Sequence, residues 1–293
     1  MRNVKLYPLV FSLLLISFTI YVLLDTFLIS EVYEKVDNIV SVKDVSKGEI
    51  SLSDNTYEDD NIKITLNTIE KYDTKIYIAD VIVNDASYLK TAFALDTYGK
   101  NITSTTSDIA EDKNAILAIN GDYYGVQSKG YVLKNYKLYR TISAGNKEDL
   151  VIYDDGTFGI INENEISAEE LLGKKVKELL SFGPALIVNG SIVVSEYDEV
   201  GKAMASNPRS AIGYINKNHY VFVVSDGRTS ESEGLSLYEL ASVMKDYGVK
   251  TLYNLDGGGS SAMYFNGKLI NNPTTNGRSI KEREVSDIVY IGY

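Results

Sequence analysis

Residues 251–265, TLYNLDGGGSSAMYF, set two short apolar runs on either side of an Asn, an Asp, three glycines and two serines. The runs, with Leu252, Tyr253 and Leu255 before and Met263, Tyr264 and Phe265 after, read as buried strands joined by a polar turn. Ordering three consecutive glycines costs more backbone entropy than any other triplet, so Gly257, Gly258 and Gly259 point to a backbone path or a close approach that side chains forbid. Two readings of the turn stand at this point. In one, the amides and the hydroxyls of Ser260 and Ser261 form an anion-binding concavity with the Asp256 carboxylate aimed into the same space. In the other, the stretch is a glycine-rich hairpin capped by an Asp.

Working outward, a helix pattern, LSLYELASVMKDYG, runs directly into this stretch, with Ser236 and Glu239 as a capping box and Gly248 as its stop. Hairpins are expected on Asp155–Gly156, Asn189–Gly190, residues 216–218 and Asn266–Gly267. Residues 61–70 and 74–83 alternate apolar and polar side chains on either side of a turn at 72–74, as half-buried strands do. Another helix is expected over 167–180, with a Ser167–Glu170 capping box and an apolar face of Leu171, Leu172, Val176, Leu179 and Leu180. The fold class is therefore α+β: a mixed, largely antiparallel sheet built from hairpins, with a few covering helices.

A second strand, residues 115–119, ends in Asn120, Gly121, Asp122, Tyr123, Tyr124 and Gly125, which parallels the strand ending in Asn254 and Asp256. A packed Asn-Gly turn is one reading of these residues. The other makes the tyrosines sugar-stacking platforms and Asp122 a hydroxyl acceptor or catalytic acid. His219 is the sole histidine and lies beside a hairpin tip, which argues against a histidine-based triad.

At the N-terminus, Arg2 and Lys5 precede an uncharged apolar run over 6–24, about long enough to cross a bilayer. The expected organisation is a cytoplasmic tail at 1–5, a transmembrane anchor at 6–24, a stalk at 25–60 and one domain at 61–293, with that domain outside a cell membrane crossed once. A cleaved signal peptide is the rival reading. The 293 residues include no cysteine, so this exported domain relies on its core, and by composition it looks like a Gram-positive surface protein. A net charge of −11 argues against a nucleic acid partner, although local arginines can still bind a small anion.

Taken in order, NGDYYG, PRSAIGY, SDGRTSESEGLSLYELASVMKDYGV, NLDGGGSSAMYFNG and the terminal ER-x-V before a strand resemble the phosphodiester glycosidase family over roughly residues 61–293. Bacterial relatives are often labelled exopolysaccharide biosynthesis proteins. Where relatives commonly carry NGG before aromatics, this chain has Asp122 in place of the second glycine. The resemblance implies hydrolysis of a sugar joined through its anomeric oxygen to a phosphodiester in a surface glycan or wall polymer. Such chemistry needs positive charge on the departing phosphate, for which Arg209, Arg228 and Arg283 are candidates together with Gly257, Gly258, Gly259 and Ser260. It also needs a carboxylate for the cationic sugar: Asp256 first, then Asp122 or Asp226, and after them Glu282 and Glu233. Asn120, Asn254, Tyr123 and Tyr124 are the sugar-binding candidates. No cofactor is required, but Asp122, Asp226 and Asp256 could hold a divalent cation for attack at phosphorus if they cluster. A catalytically silent wall-binding module is the alternative from another class.

Overall fold

The computed structural model describes residues 6–36, 46–199 and 206–293. Arg2, Lys5 and the segment 39–45 lie outside the described residues. Every strand pairing among the described residues is antiparallel, and the two large sheets face each other.

The larger sheet has nine strands. Its centre is the hairpin Arg209–Asn216 with His219–Ser225, flanked by Thr251–Asn254 on one side and Thr74–Val83 on the other. The alternation read from the sequence is expressed as two cores. Tyr77, Ile212, Phe222 and Tyr253 point toward the second sheet, while Ile78, Ala211, Val221, Val223 and Leu252 point to the opposite face. That opposite face is covered by the helix Leu237–Asp246 through Leu240, Ala241 and Met244. Its capping box is Ser236 with Glu239, and Gly248 follows it at φ +93°.

The smaller sheet has five strands, ordered Lys268–Leu269, Met263–Phe265, Leu117–Asn120, Asp287–Ile291 and Leu89–Phe93. Leu117, Ile119, Met263 and Val289 meet the larger sheet, and a short helix, Thr106–Asp112, packs Ile109 and Ala110 on the far face. The layers are thus helix, sheet, sheet, helix. Residues 251–265 are therefore not a hairpin: Thr251–Asn254 belongs to the nine-stranded sheet and Met263–Phe265 to the five-stranded one, so the glycine triplet is where the chain crosses between them.

All four expected hairpins are present, and Tyr72 and Asp73 turn the 62–83 hairpin with φ of 53° and 49°. Two expectations are corrected. The helix at Ser167 keeps its capping box but ends at Gly173. Lys175 then takes φ 59°, and Val176–Leu180 runs as a fully buried strand against Glu148–Tyr153. In a short run that is buried on every side, the apolar spacing suits either structure, and pairing with an open sheet edge decides it. The region 25–60 is not a plain stalk. Glu31–Lys35 pairs with Thr97–Lys100, and Ser51–Leu52 and Thr56–Glu58 extend the nine-stranded sheet. An N-terminal helix, Leu6–Phe27, has mean hydropathy 2.2 with none of it buried, and is long and apolar enough to cross a membrane.

Candidate active site

The registers set which strand ends meet. Arg209 pairs with Ser225 and Ala211 with Asn254, so Arg209, Asp226 and Asp256 lie at one end of the larger sheet. In the smaller sheet Ile288 pairs with Asn120, which places Asp287, Asn120 and Asp122 at one end of that sheet. These polar tips belong to two different sheets, stitched together. Asn120 donates through Nδ2 to the Asp256 carbonyl at 2.6 Å, and the Asp256 amide donates to the Gly121 carbonyl at 3.3 Å. The Asn120 Oδ1 accepts from the Ser210 hydroxyl at 2.7 Å, so this fully buried side chain clamps both sheets.

Two of the arginines press their guanidiniums on Gly258 and Gly259, and Arg209 lies beside Gly257 through its stem. A Cβ on Gly257 would stand 2.9 Å from the Pro208 carbonyl and 4.0 Å from Arg209 Cδ; one on Gly258 would stand 2.8 Å from Arg228 Nη2; one on Gly259 would stand 2.9 Å from Arg283 Nη2 and 2.3 Å from Thr275 Oγ1. Gly258 also sits at φ +62°, where a Cβ is strained. Gly258 and Gly259 thus admit guanidiniums to the backbone, and Gly257 admits the Pro208 carbonyl. The triplet is less an amide nest than expected, because the Gly258 amide already donates to the Pro208 carbonyl and the Gly257 amide to the Asp256 carboxylate.

Each guanidinium is held differently. Arg209, 3% exposed, donates through Nε to the Leu235 carbonyl and is ion-paired through Nη2 with Glu199 at 2.5 Å. Arg228 grips Asn207 Oδ1 through Nε and Nη2 at 3.2 and 2.9 Å, and the Thr275 carbonyl through Nη1 at 2.6 Å. Burial, and then the charges of Arg283 and Arg209, lower the Arg228 pKa, which marks a local excess of positive potential in a chain of net charge −11. Arg283 donates to Ser260 Oγ at 3.4 Å and, with Thr275, lines a cleft of about 580 Å³ together with Thr103, Thr105, Lys281 and Glu282.

Asp256 is partly buried. Burial raises its pKa, against hydrogen bonds from Ser260 and the Gly257 amide and the charge of Arg283, while Asp122 pushes it further up. A carboxylate with raised basicity beside guanidiniums suits a proton acceptor or a stabiliser of cationic charge.

The other two acids are structurally committed. Asp122 accepts the Tyr124 amide on Oδ1 and the Ser181 amide on Oδ2, each at 2.9 Å. Asp226 accepts from Tyr77 and Asn272 Nδ2 on Oδ2, and from Asn271 and the Asn272 amide on Oδ1. Among the described residues no group of three or more His, Cys, Asp or Glu side chains is arranged to hold a metal ion, so Asp122, Asp226 and Asp256 do not form the cluster that attack at phosphorus through a cation would need. Tyr123 is 41% exposed and can stack on a sugar, but Tyr124 is 1% exposed within an aromatic cluster with Phe93 and Tyr98, so its sugar-binding assignment is corrected to a core role. Asn254 is buried and donates to the Gly183 carbonyl at 2.8 Å, which makes it a brace between segments. His219 lies at the far end of its strand beside Asp80, 3.0 Å away.

Sequence reasoning missed a buried charge network behind the site. Lys134 is ion-paired with Asp287 at 2.7 Å and stands 3.9 Å from Asp122. Burial works against the Lys134 charge, but Asp287 and Asp122 outweigh it and the net pKa is raised; burial and Asp122 push Asp287 up to about 7. A lysine ending VLK and an aspartate opening DIVYI, each adjoining an apolar strand, were the available signal.

A family model described as phosphodiester glycosidase matches residues 113–292. The chain is 30% identical over 203 residues to the SPbeta prophage-derived uncharacterized protein YomE of Bacillus subtilis (strain 168), covering 67% of this chain and 31% of that protein. It is 29% identical over 188 residues to N-acetylglucosamine-1-phosphodiester alpha-N-acetylglucosaminidase of Homo sapiens, covering 58% of this chain and 36% of that one. The chain therefore spans about a third of the length of these curated relatives. Among solved structures, the zebrafish N-acetylglucosamine-1-phosphodiester alpha-N-acetylglucosaminidase catalytic domain, auto-inhibited by its pro-peptide, matches with TM-score 0.63 at 20% identity, covering 90% of this chain and 88% of that one. A hypothetical protein from Synechocystis matches with TM-score 0.60 at 17% identity over 79% of this chain and 62% of that one. At these identities the structural matches establish a shared fold.

Proposed function

Because the chain belongs to the phosphodiester glycosidase family, we propose that it hydrolyses a glycosyl phosphodiester in a cell-surface glycan or wall polymer, with its domain outside the membrane that the Leu6–Phe27 helix crosses. The observation that carries this reading is the gathering of Arg209, Arg228 and Arg283 about a glycine turn that begins at the partly exposed Asp256.

In this reading the phosphate lies against the Arg228 and Arg283 guanidiniums, and Arg209, held by Glu199, adds positive potential from behind. The C1–O bond breaks, its electron pair leaves on the phosphate oxygen, and positive charge builds on the sugar. A phosphomonoester is a stable anion, so the arginines take the place of a general acid. The oxygen of a water molecule bonds to C1 as Asp256 stabilises the cationic ring and accepts the water proton. Asp122 and Asp226 act as positioning residues: one ties the 122–124 turn to Ser181, the other ties the 271–272 segment to Tyr77. Tyr123 supplies a stacking face for the sugar.

The test is incubation of the full chain with a panel of nucleotide sugars and alkyl glycosyl phosphates in heavy-oxygen water. The label is expected on the sugar product. Label on the phosphate product would overturn the reading, because it would place the attack at phosphorus; so would the absence of turnover on every member of the panel.

A further inference from the structure

The end of the membrane-length helix is bolted to the loop that carries the site. Asn101 donates through Nδ2 toward the carbonyls of Asp25, Thr26 and Ile29, at 3.4, 3.3 and 2.9 Å, and its own carbonyl accepts from the Ser30 hydroxyl at 2.9 Å. The Asn101 amide donates to the Gly125 carbonyl at 3.1 Å, so a single residue joins the helix end to the segment bearing Asp122 and Tyr123. Lys100 adds an ion pair with Asp25 at 2.9 Å. The strand that follows, Glu31–Lys35, pairs with Thr97–Lys100, and the absence of a side chain at Gly99 permits this, since a Cβ there would lie 2.2 Å from the Glu31 carbonyl. A tyrosine ladder repeats the connection: Tyr33 meets Tyr98 at 5.5 Å, and Tyr98 stacks on Tyr124 at 5.6 Å. Thr103 and Thr105, just beyond Asn101, line the same cleft as Arg283.

These contacts fix the height of the cleft. A helix of 22 residues is about 33 Å long at 1.5 Å per residue, close to the roughly 30 Å of a hydrocarbon core. Its end at Phe27, with Asp25 and Lys100, then sits at headgroup level. Exposed Leu28, Val32 and Tyr33 follow at once, as apolar and aromatic side chains do at an interface. From Asn101 to Thr103 is two residues, at most about 7 Å of chain.

We propose that the substrate is a glycosyl phosphodiester whose aglycone is anchored in the same membrane, presented to the cleft at the bilayer surface instead of arriving from solution. This rests on the phosphodiester glycosidase reading of the site. The rigid joint then does a specific thing: it holds the cleft within reach of a short lipid-linked head group, which a domain on a flexible tether would pass over.

The test uses the full chain in liposomes with two substrates that share one glycosyl phosphate head, one carrying a dialkyl anchor in the same bilayer and one a methyl aglycone in solution. A twelve-residue Gly-Ser spacer inserted after Phe27 lets the domain wander by roughly 19 Å. The spacer should lower the anchored-substrate rate by about tenfold through lost effective concentration and leave the methyl-substrate rate within about twofold. An anchored rate unmoved by the spacer overturns the inference and leaves the proposed hydrolysis intact; failure of the unmodified chain on both substrates overturns the proposed hydrolysis. A second measurement does not depend on the insertion. The chain has no cysteine, so Val126→Cys, at an exposed position one residue past Gly125, can carry a single fluorophore. Quenching by headgroup-labelled lipid supports the proposal, and emission indifferent to that lipid refutes it.

Discussion

Gly258→Ala isolates what the glycine triplet is for. The added Cβ meets Arg228 at 2.8 Å from Nη2, 3.3 Å from Cζ and 3.5 Å from Nη1. To restore ordinary contact the guanidinium must retreat by about 1 Å, a displacement that breaks well-placed hydrogen bonds. Its 2.9 Å contact with Asn207 and its 2.6 Å contact with the Thr275 carbonyl then fail, and with them the aim at a substrate phosphate proposed for it. Losing one oriented hydrogen bond from a charged donor costs about 1.5–3 kcal/mol, which at about 1.36 kcal/mol per decade is roughly a ten- to hundredfold fall in kcat/KM. The left-handed backbone at φ +62° adds a separate strain of about 1–2 kcal/mol, expected to lower Tm by roughly 2–8 °C for a domain of this size. Gly267→Ala separates the two effects. Gly267 is also left-handed, at φ +82°, but a Cβ there meets nothing within 4 Å. Gly267→Ala should lose only the Tm that the backbone strain accounts for, Gly258→Ala should lose more, and Gly258→Ala alone should lose activity, measured as kcat/KM on a glycosyl phosphodiester beside a calorimetric melt. Equal kcat/KM in the two variants would refute the view that the glycines make room for guanidiniums.

Asp256→Asn keeps the shape and the Ser260 contact but removes the proposed proton acceptor, so kcat should fall by about 10²–10⁴ with KM little changed; the acidic limb of the pH–rate profile, shifted up in the native protein by burial of this carboxyl, should vanish. Arg283→Lys preserves charge but loses the planar fork facing Ser260 and the cleft, and the loss should be smallest for substrates whose leaving alcohol makes the phosphate the better leaving group. For Asp287, whose carboxyl is pushed up to about 7 by burial, the folded state holds its proton more tightly than the unfolded chain. Its contribution is therefore present at low pH and lost as pH rises from about 4 toward 7. Tm of the native protein should decline across that window, and Asp287→Asn should flatten the slope; a native Tm that rises steadily from pH 4 to 7 would contradict the assignment.

Local chemistry was legible in the chain wherever it involves residues a few positions apart. The Ser236–Glu239 and Ser167–Glu170 capping boxes, the Asn-Gly and Asp-Gly hairpins and the alternation over 62–83 each follow from backbone preferences that neighbours in sequence settle among themselves. The apolar helix at Leu6–Phe27 is legible for the same reason. What only tertiary structure decided is everything that depends on which surface a segment meets. Val176–Leu180 carries a helix-compatible pattern, yet it becomes a strand because the edge at Glu148–Tyr153 offers its backbone partners. Residues 31–35 and 51–58 read as a polar spacer, yet pairing with Thr97–Lys100 and with the edge of the nine-stranded sheet orders them, with Tyr57 buried in the core. Tyr123 and Tyr124 are identical in type and adjacent, and a strand end turns one outward and the other into the Phe93–Tyr98 cluster. Lys134 and Asp287, more than 150 positions apart, find each other only because two sheet ends meet, and no local pattern encodes a partner chosen by burial. The candidate site divides in the same way: composition and order in the chain nominate its arginines, glycines and Asp256, while their convergence is a property of two sheets packed face to face, with the glycine triplet as the crossing between them.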